Sequence, residues 1–128
     1  GEPTPAERNL QTTVLEIANF QAITAYTADS DIGASNGAFI TDEGSEAIVT
    51  LQVLNVAVGT RYTFFVVANG IEVQGNNNDQ NFVYVTENGN DQNTQYILMS
   101  GIGRAMTMTK ISSDTWAVFP HIGIINND

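Results

Sequence analysis

The chain has 128 residues, 42% of them hydrophobic, and carries 14 Asp and Glu against four Lys and Arg (Arg8, Arg61, Arg104, Lys110), a formal net charge of −10. That length fits one domain with a real core, and that charge leaves almost nothing to neutralise phosphate, so nucleic acid and anionic membrane surfaces are poor partners. Cys is absent, which removes disulfides, thiolate metal ligands and Cys nucleophiles.

No apolar run approaches the length of a bilayer, and Gly1-Glu-Pro-Thr-Pro5 has neither a basic nor an apolar leader region, so a soluble chain is expected. Residues 1–10 read as an extended N-terminal arm, because Pro3 and Pro5 favour β or polyproline geometry in the residues before them. Residues 11–128 then read as a single β domain. Leu10, Val14, Ile17 and Ala18 fit a helical face, whereas Thr12 to Ile17 has the composition of a strand; strand is the reading taken. Gln21 to Thr27 predicts a further strand, Asp29 to Gly33 a loop, Asn36-Gly37 a turn, and Asp42 to Glu46 an exposed acidic turn.

Ala47 to Val53 and Arg61 to Val67 are the two strands around which the rest is arranged. In the second, Tyr62, Phe64 and Val66 point one way while Thr63, Phe65 and Val67 point the other. Both faces carry apolar groups, which predicts a central strand or one covered by a partner. Asn69-Gly70 before Ile71 to Gln74 predicts a type I′ hairpin, which needs positive φ at both central positions. Gly75 to Gln80 and Glu87 to Thr94 read as polar loops on either side of the alternating strand Phe82 to Thr86. Gln95 to Ser100 is a strand that ends in a bend at Gly101-Ile-Gly103. Arg104 to Ile111 alternates, Ser112 to Thr115 turns the chain into Trp116 to Phe119, and Pro120 to Asp128 is a mostly apolar tail. About ten short strands at regular spacing predict an all-β fold: an antiparallel sandwich, jelly roll or barrel.

Chemistry-bearing constellations are sparse. His121 is the only histidine, so a His cluster is impossible and a nucleophile triad would need this one residue, without any Gly-x-Ser-x-Gly elbow. Gly101-Ile-Gly-Arg-Ala105 echoes half a dinucleotide fingerprint but lacks the third glycine and the helix. Asp29, Asp31, Asp42, Glu43 and Glu46 have neither the spacing of an acid/base pair nor that of an EF-hand. Oxygens from Asn76 to Asp79 or Asn88 to Asp91 are the alternative donors for Ca²⁺. No cofactor and no enzymatic activity are therefore expected. Trp116 with Tyr62, Tyr84 or Tyr96 could form a sugar-stacking platform, although large aromatics on strands more often fill cores.

Ile48-Val-Thr-Leu51, Val58-Gly-Thr-Arg-Tyr-Thr-Phe64 and Met106-Thr-Met-Thr-Lys-Ile-Ser-Ser-Asp-Thr-Trp-Ala-Val118 together resemble a pattern in structural proteins of tailed-bacteriophage virions. Ser113-Asp114-Thr115 lacks the Gly of that pattern, and Gln52-Val53 stands in place of its Pro. The resemblance implies a capsid decoration (cement) protein on the outer surface of the head. Such a protein would be a homotrimer that bridges subunits of the major capsid protein, with the arm as a strap across a neighbour. The contact residues expected on that basis are Thr4, Pro5, Arg8, Asn9 and Leu10 from the arm, Phe65 and Val67 from the two-faced strand, and Ile122, Ile124 and Ile125 from the tail. The alternative that the same resemblance implies is a tail-appendage module binding carbohydrate or receptor, which calls for exposed aromatics around Trp116.

Overall fold

A computed structural model describes residues 2, 4–9, 21–33, 38–44, 47–76, 79–86 and 88–122, with residues 121 and 122 described by their backbone alone. Eleven strands lie among the described residues: β1 (Ile23–Tyr26), β2 (Ser30–Ile32), β3 (Phe39–Asp42), β4 (Val49–Val53), β5 (Arg61–Phe65), β6 (Gly70–Gly75), β7 (Asn81–Val85), β8 (Asp91–Thr94), β9 (Tyr96–Ser100), β10 (Ala105–Lys110) and β11 (Thr115–Ile122). A seven-stranded sheet runs β1-β3-β5-β10-β11-β7-β8, and a four-stranded sheet runs β2-β4-β6-β9. The all-β, two-sheet architecture is the one expected from the alternating sequence.

Burial in β4 and β5 follows the period-2 rule. In β4, Val49, Leu51 and Val53 are buried while Thr50 and Gln52 are partly exposed. In β5, Tyr62 and Phe64 are buried between the more exposed Arg61, Thr63 and Phe65. Between the sheets lie Ile32, Leu51, Ile71, Val73, Ile97 and Met99 from one layer, and Ile40, Tyr62, Phe64, Phe82, Met106, Met108 and Trp116 from the other. At about 25 cal/mol per Å² of apolar surface removed from water, burial of this kind is the main favourable term of the fold. The Trp116 ring stacks on Tyr62 with centroids 5.7 Å apart. Its Nε1–H donates to Oε1 of the buried Gln80 at 2.9 Å, so the one polar atom of the indole is satisfied inside the core.

The antiparallel expectation needs correcting. β1, β3 and β5 are mutually parallel in one sheet, β2, β4 and β6 are mutually parallel in the other, and β11 runs parallel to β7. Among the described strands, antiparallel pairing is confined to β5–β10, β10–β11, β7–β8 and β6–β9. From β1 to β6 the chain alternates between the two sheets, so successive strands do not pair and hairpins are impossible there. The two strands around which the sequence is arranged, β4 and β5, are accordingly in different layers, and β5 is central between β3 and β10. Asn69-Gly70 is likewise a corner between layers and not a type I′ hairpin: Gly70 is absent from the glycines with positive φ. A Cβ on Gly70 would sit 2.9 Å from the carbonyl oxygen of Met99, so this glycine answers to space. Gly101 and Gly103, at φ 123° and 89°, form the expected bend.

Smaller differences remain: Ser30–Ile32, expected within a loop, is strand β2 and pairs with β4. Residues 5–9 are helical and not extended. Thr4 caps this turn: its hydroxyl accepts from the Glu7 N–H at 3.2 Å and donates to the Glu7 carboxylate at 3.0 Å, with Pro5 in the first helical position. Asp91–Thr94 is an edge strand on β7 and not part of a loop, and β11 runs on through Pro120 into the expected tail. Pro120 is tolerated because β7 pairs only with Thr115, Trp116 and Ala117, and the β10 register slips at Met106 to admit a bulge. The expected strand at Thr12 to Ile17, the turn at Asn36-Gly37, and Leu10, Ile124 and Ile125 lie outside the described residues.

Candidate functional site

Asp42 ends β3 and, contrary to the solvated acidic turn expected there, is 1% exposed. The corner from Val67 to Gly70 wraps its carboxylate. Oδ1 accepts from the N–H groups of Val67 and Ala68 at 2.7 and 3.0 Å, and Oδ2 from those of Asn69 and Gly70 at 2.7 and 3.0 Å. Burial pushes this carboxyl up, but the four backbone N–H groups outweigh it and hold the group below its ordinary value. The arrangement is an internal anion site whose anion is supplied by the chain itself. It fixes the corner that carries Val67, which is half exposed.

The two outer faces differ sharply. On the seven-stranded sheet, register aligns Ile23, Phe39, Thr63, Thr107 and Phe119 in one row, and Ala25, Thr41, Phe65 and Ala105 in the next. Phe39 and Phe65 stack at 6.4 Å, and the Thr63 and Thr107 hydroxyls bond across β5 and β10 at 3.1 Å. Ile23 is 68% exposed, Phe119 60% and Phe65 37%, while Val83 and Val85 extend the patch along β7. Among the described residues of β1, β3, β5, β7, β10 and β11, Arg61 is the one ionisable side chain that points outward; it lines an open depression of about 350 Å³ with Gln21, Ala38 and Thr63. On the four-stranded sheet the outward side chains are polar: Asp31, Thr50, Gln52, Glu72 and Gln74, with Tyr96 and Leu98 at the β9 edge.

Of the contact residues expected from the sequence, Phe65 lies within the apolar face and Val67 beside it at the corner. Thr4, Pro5, Arg8 and Asn9 are exposed on the helical turn. Ile122 is described only as the last residue of β11, level with Ala105. The face also contains Ile23, Phe39, Phe119, Val83 and Val85, which the sequence reading passes over; the signal was an apolar residue at both parities, as in Phe82-Val-Tyr-Val85.

The sugar platform around Trp116 does not exist: Trp116, Tyr62 and Tyr84 are core residues, and only Tyr96 is exposed. A tail-appendage reading that rests on Trp116 loses its site for that reason. Gln80, expected in an exposed loop, is buried because Trp116 needs its acceptor, and its Nε2 donates to the Ser113 carbonyl at 3.4 Å. Among the described residues no group of three His, Asp or Glu side chains converges as a metal site, and no helix is long and apolar enough to cross a membrane. Compared with family models, curated proteins and solved structures, the chain matches none.

Proposed function

We propose that the protein is a non-enzymatic capsid decoration (cement) protein of a tailed bacteriophage, which as a homotrimer docks on the outer surface of the head and bridges major capsid protein subunits. The motif resemblance suggests the setting. The observation that carries the reading is the outer face of the seven-stranded sheet, where Ile23, Phe39, Phe65, Phe119, Val83 and Val85 form an apolar surface in a chain of net charge −10. A contiguous apolar face on so acidic a chain is suited to a protein surface, and Arg61 beside its depression is suited to an acidic side chain of that surface. Three linked copies make each further contact intramolecular, so modest patches add up to firm attachment.

The test uses heads of the encoding phage prepared with and without the protein, challenged by heat and by osmotic shock. Heads lacking it are expected to lose DNA earlier, and equal survival would end the clamping role. Light scattering at low micromolar concentration is expected to give the mass of three chains.

A further inference from the structure

We infer that the outer face of the four-stranded sheet binds a neutral, extended oligosaccharide. The inference stands apart from the docking face, which belongs to the other sheet. Register places Asp31, Gln52, Gln74 and Tyr96 side by side on β2, β4, β6 and β9. A second row sets Thr50, Glu72 and Leu98 beside them. Three gaps between neighbouring strands at ~4.8 Å give a row of ~14 Å, longer than a single sugar needs.

The residue types match a polyol. Each Gln amide offers both a donor and an acceptor, and each carboxylate offers acceptors, which is what paired ring hydroxyls require. One member of the second row steadies the first: the Gln74 Nε2 donates to Glu72 Oε1 at 3.0 Å. Just before β2, Asp29 is held beside the rows by the Thr50 backbone N–H, which donates to its Oδ1 at 2.7 Å. Asp29, Ser30, Asp31, Thr50 and Gln52 line an open depression of about 310 Å³ at the β2 end. At the β9 end Tyr96, 38% exposed, presents a ring on which the C–H face of a pyranose can lie.

Electrostatics selects among glycans. Asp29, Asp31 and Glu72 are acidic, and no Lys or Arg is among the described outward residues of these four strands. A uronate or sialylated chain is repelled, and a neutral one is not. Beneath the rows, Leu51, Val53, Val73 and Ile97 are fully buried, so the strands that carry the polar groups are already fixed and little ordering is needed on binding. An open face of this kind binds weakly per copy, and repeated display on a multimer would raise its retention.

The experiment is in two stages. The intact protein, displayed multivalently, is first passed over an array of neutral linear oligosaccharides (glucan, xylan, mannan and chitin fragments) with oligogalacturonates as the charged comparison. The best neutral hexasaccharide is then titrated into the labelled protein while the side-chain NH₂ signals of Gln52 and Gln74 are followed by NMR. Retention of a neutral glycan is expected, with shifts at those amides. Gln52→Ala and Tyr96→Ala should each weaken binding by about tenfold, the loss of roughly one net contact, at unchanged melting temperature. Failure of every neutral glycan to bind would overturn the inference. So would oligogalacturonate binding as well as the neutral chains, or undiminished binding by both variants. None of these results touches the capsid reading, whose test is head survival.

Discussion

Replacing Asp42 by Asn tests a carboxylate that accepts four backbone hydrogen bonds, more than any other side chain among the described residues is seen to accept. The carboxylate serves four consecutive backbone N–H groups, of which that of Gly70 is buried and the other three are partly buried. A hydrogen bond to a charged group contributes about 1.5–3 kcal/mol, and a buried donor left without an acceptor costs about 1–3 kcal/mol. Water can reach part of the corner, so removal of the acceptor altogether, in Asp42→Ala, is expected to cost about 5 kcal/mol, comparable with the lower end of whole-domain stability at about 5–15 kcal/mol. Asp42→Asn is gentler: one neutral oxygen remains, but an NH₂ now faces two of the N–H groups, for a loss of about 3 kcal/mol. Urea unfolding at pH 7 measures it, with a lowered midpoint at an unchanged slope. The proton adds a second readout. The four N–H bonds hold the folded carboxyl below 3.8, so the unfolded chain binds the proton more readily. The Asp42 contribution is therefore full above about pH 4 and is lost as pH falls through the folded value, and the gap between wild type and Asn variant should close on acidification. A loss under about 1 kcal/mol at pH 7, or a gap independent of pH, would refute the reasoning.

Tyr62→Phe should stabilise the protein by about 1 kcal/mol in thermal unfolding, because the buried Tyr62 hydroxyl has no hydrogen-bond partner among the described residues while its ring keeps the stack on Trp116. The same burial, with the Tyr26 hydroxyl as a further cause, raises the Tyr62 pKa, so the wild type should lose stability above about pH 10 more steeply than Tyr62→Phe. Gln80→Leu should cost about 2 kcal/mol by orphaning the Trp116 indole N–H, with a shift in tryptophan emission, and an unchanged midpoint would show that water replaces the amide. Phe65→Lys with Phe119→Lys, on the exposed apolar face, should abolish co-sedimentation of the protein with heads that lack it, at unchanged strand content; undiminished attachment would move the docking contact elsewhere.

Local chemistry made the strands legible. The alternation in Val49 to Val53 and Phe82 to Val85 marks the buried side of each, and the doubly apolar Arg61 to Val67 correctly signals a central position. Turn chemistry misled at Asn69-Gly70, where the dipeptide suits a hairpin but the glycine is required by the Met99 carbonyl from another strand. The capping box Thr4-Pro5-Ala6-Glu7 was readable, yet the two prolines suggest extension more loudly. Asp42 could not have been read as structural, since its partners lie 25 to 28 residues further along the chain. The apolar face was half legible: Phe65 and Val67 come from one stretch of sequence, but Phe39 and Phe119 join it only through the parallel and antiparallel registers of β3, β5, β10 and β11.

The alternation of β1 to β6 between layers also explains the two charged residues that are buried among the described ones, Asp42 and Lys110. A chain that crosses between sheets at each step leaves corner N–H and C=O groups outside both ladders, and these need partners of their own. Asp42 serves the β5–β6 corner. Lys110 serves the β4–β5 corner: its Nζ donates to the Val56 carbonyl and to Asn55 Oδ1, both at 2.7 Å, while its backbone carbonyl accepts from the Gly59 N–H at 2.8 Å. Each charge points inward because the corner it holds lies between the layers, and the two serve separate corners. Their burial is thus accounted for by the topology, without any need for acid–base chemistry. With the corners held from inside, neither outer face has to stabilise the fold, which leaves one free to be apolar and the other polar.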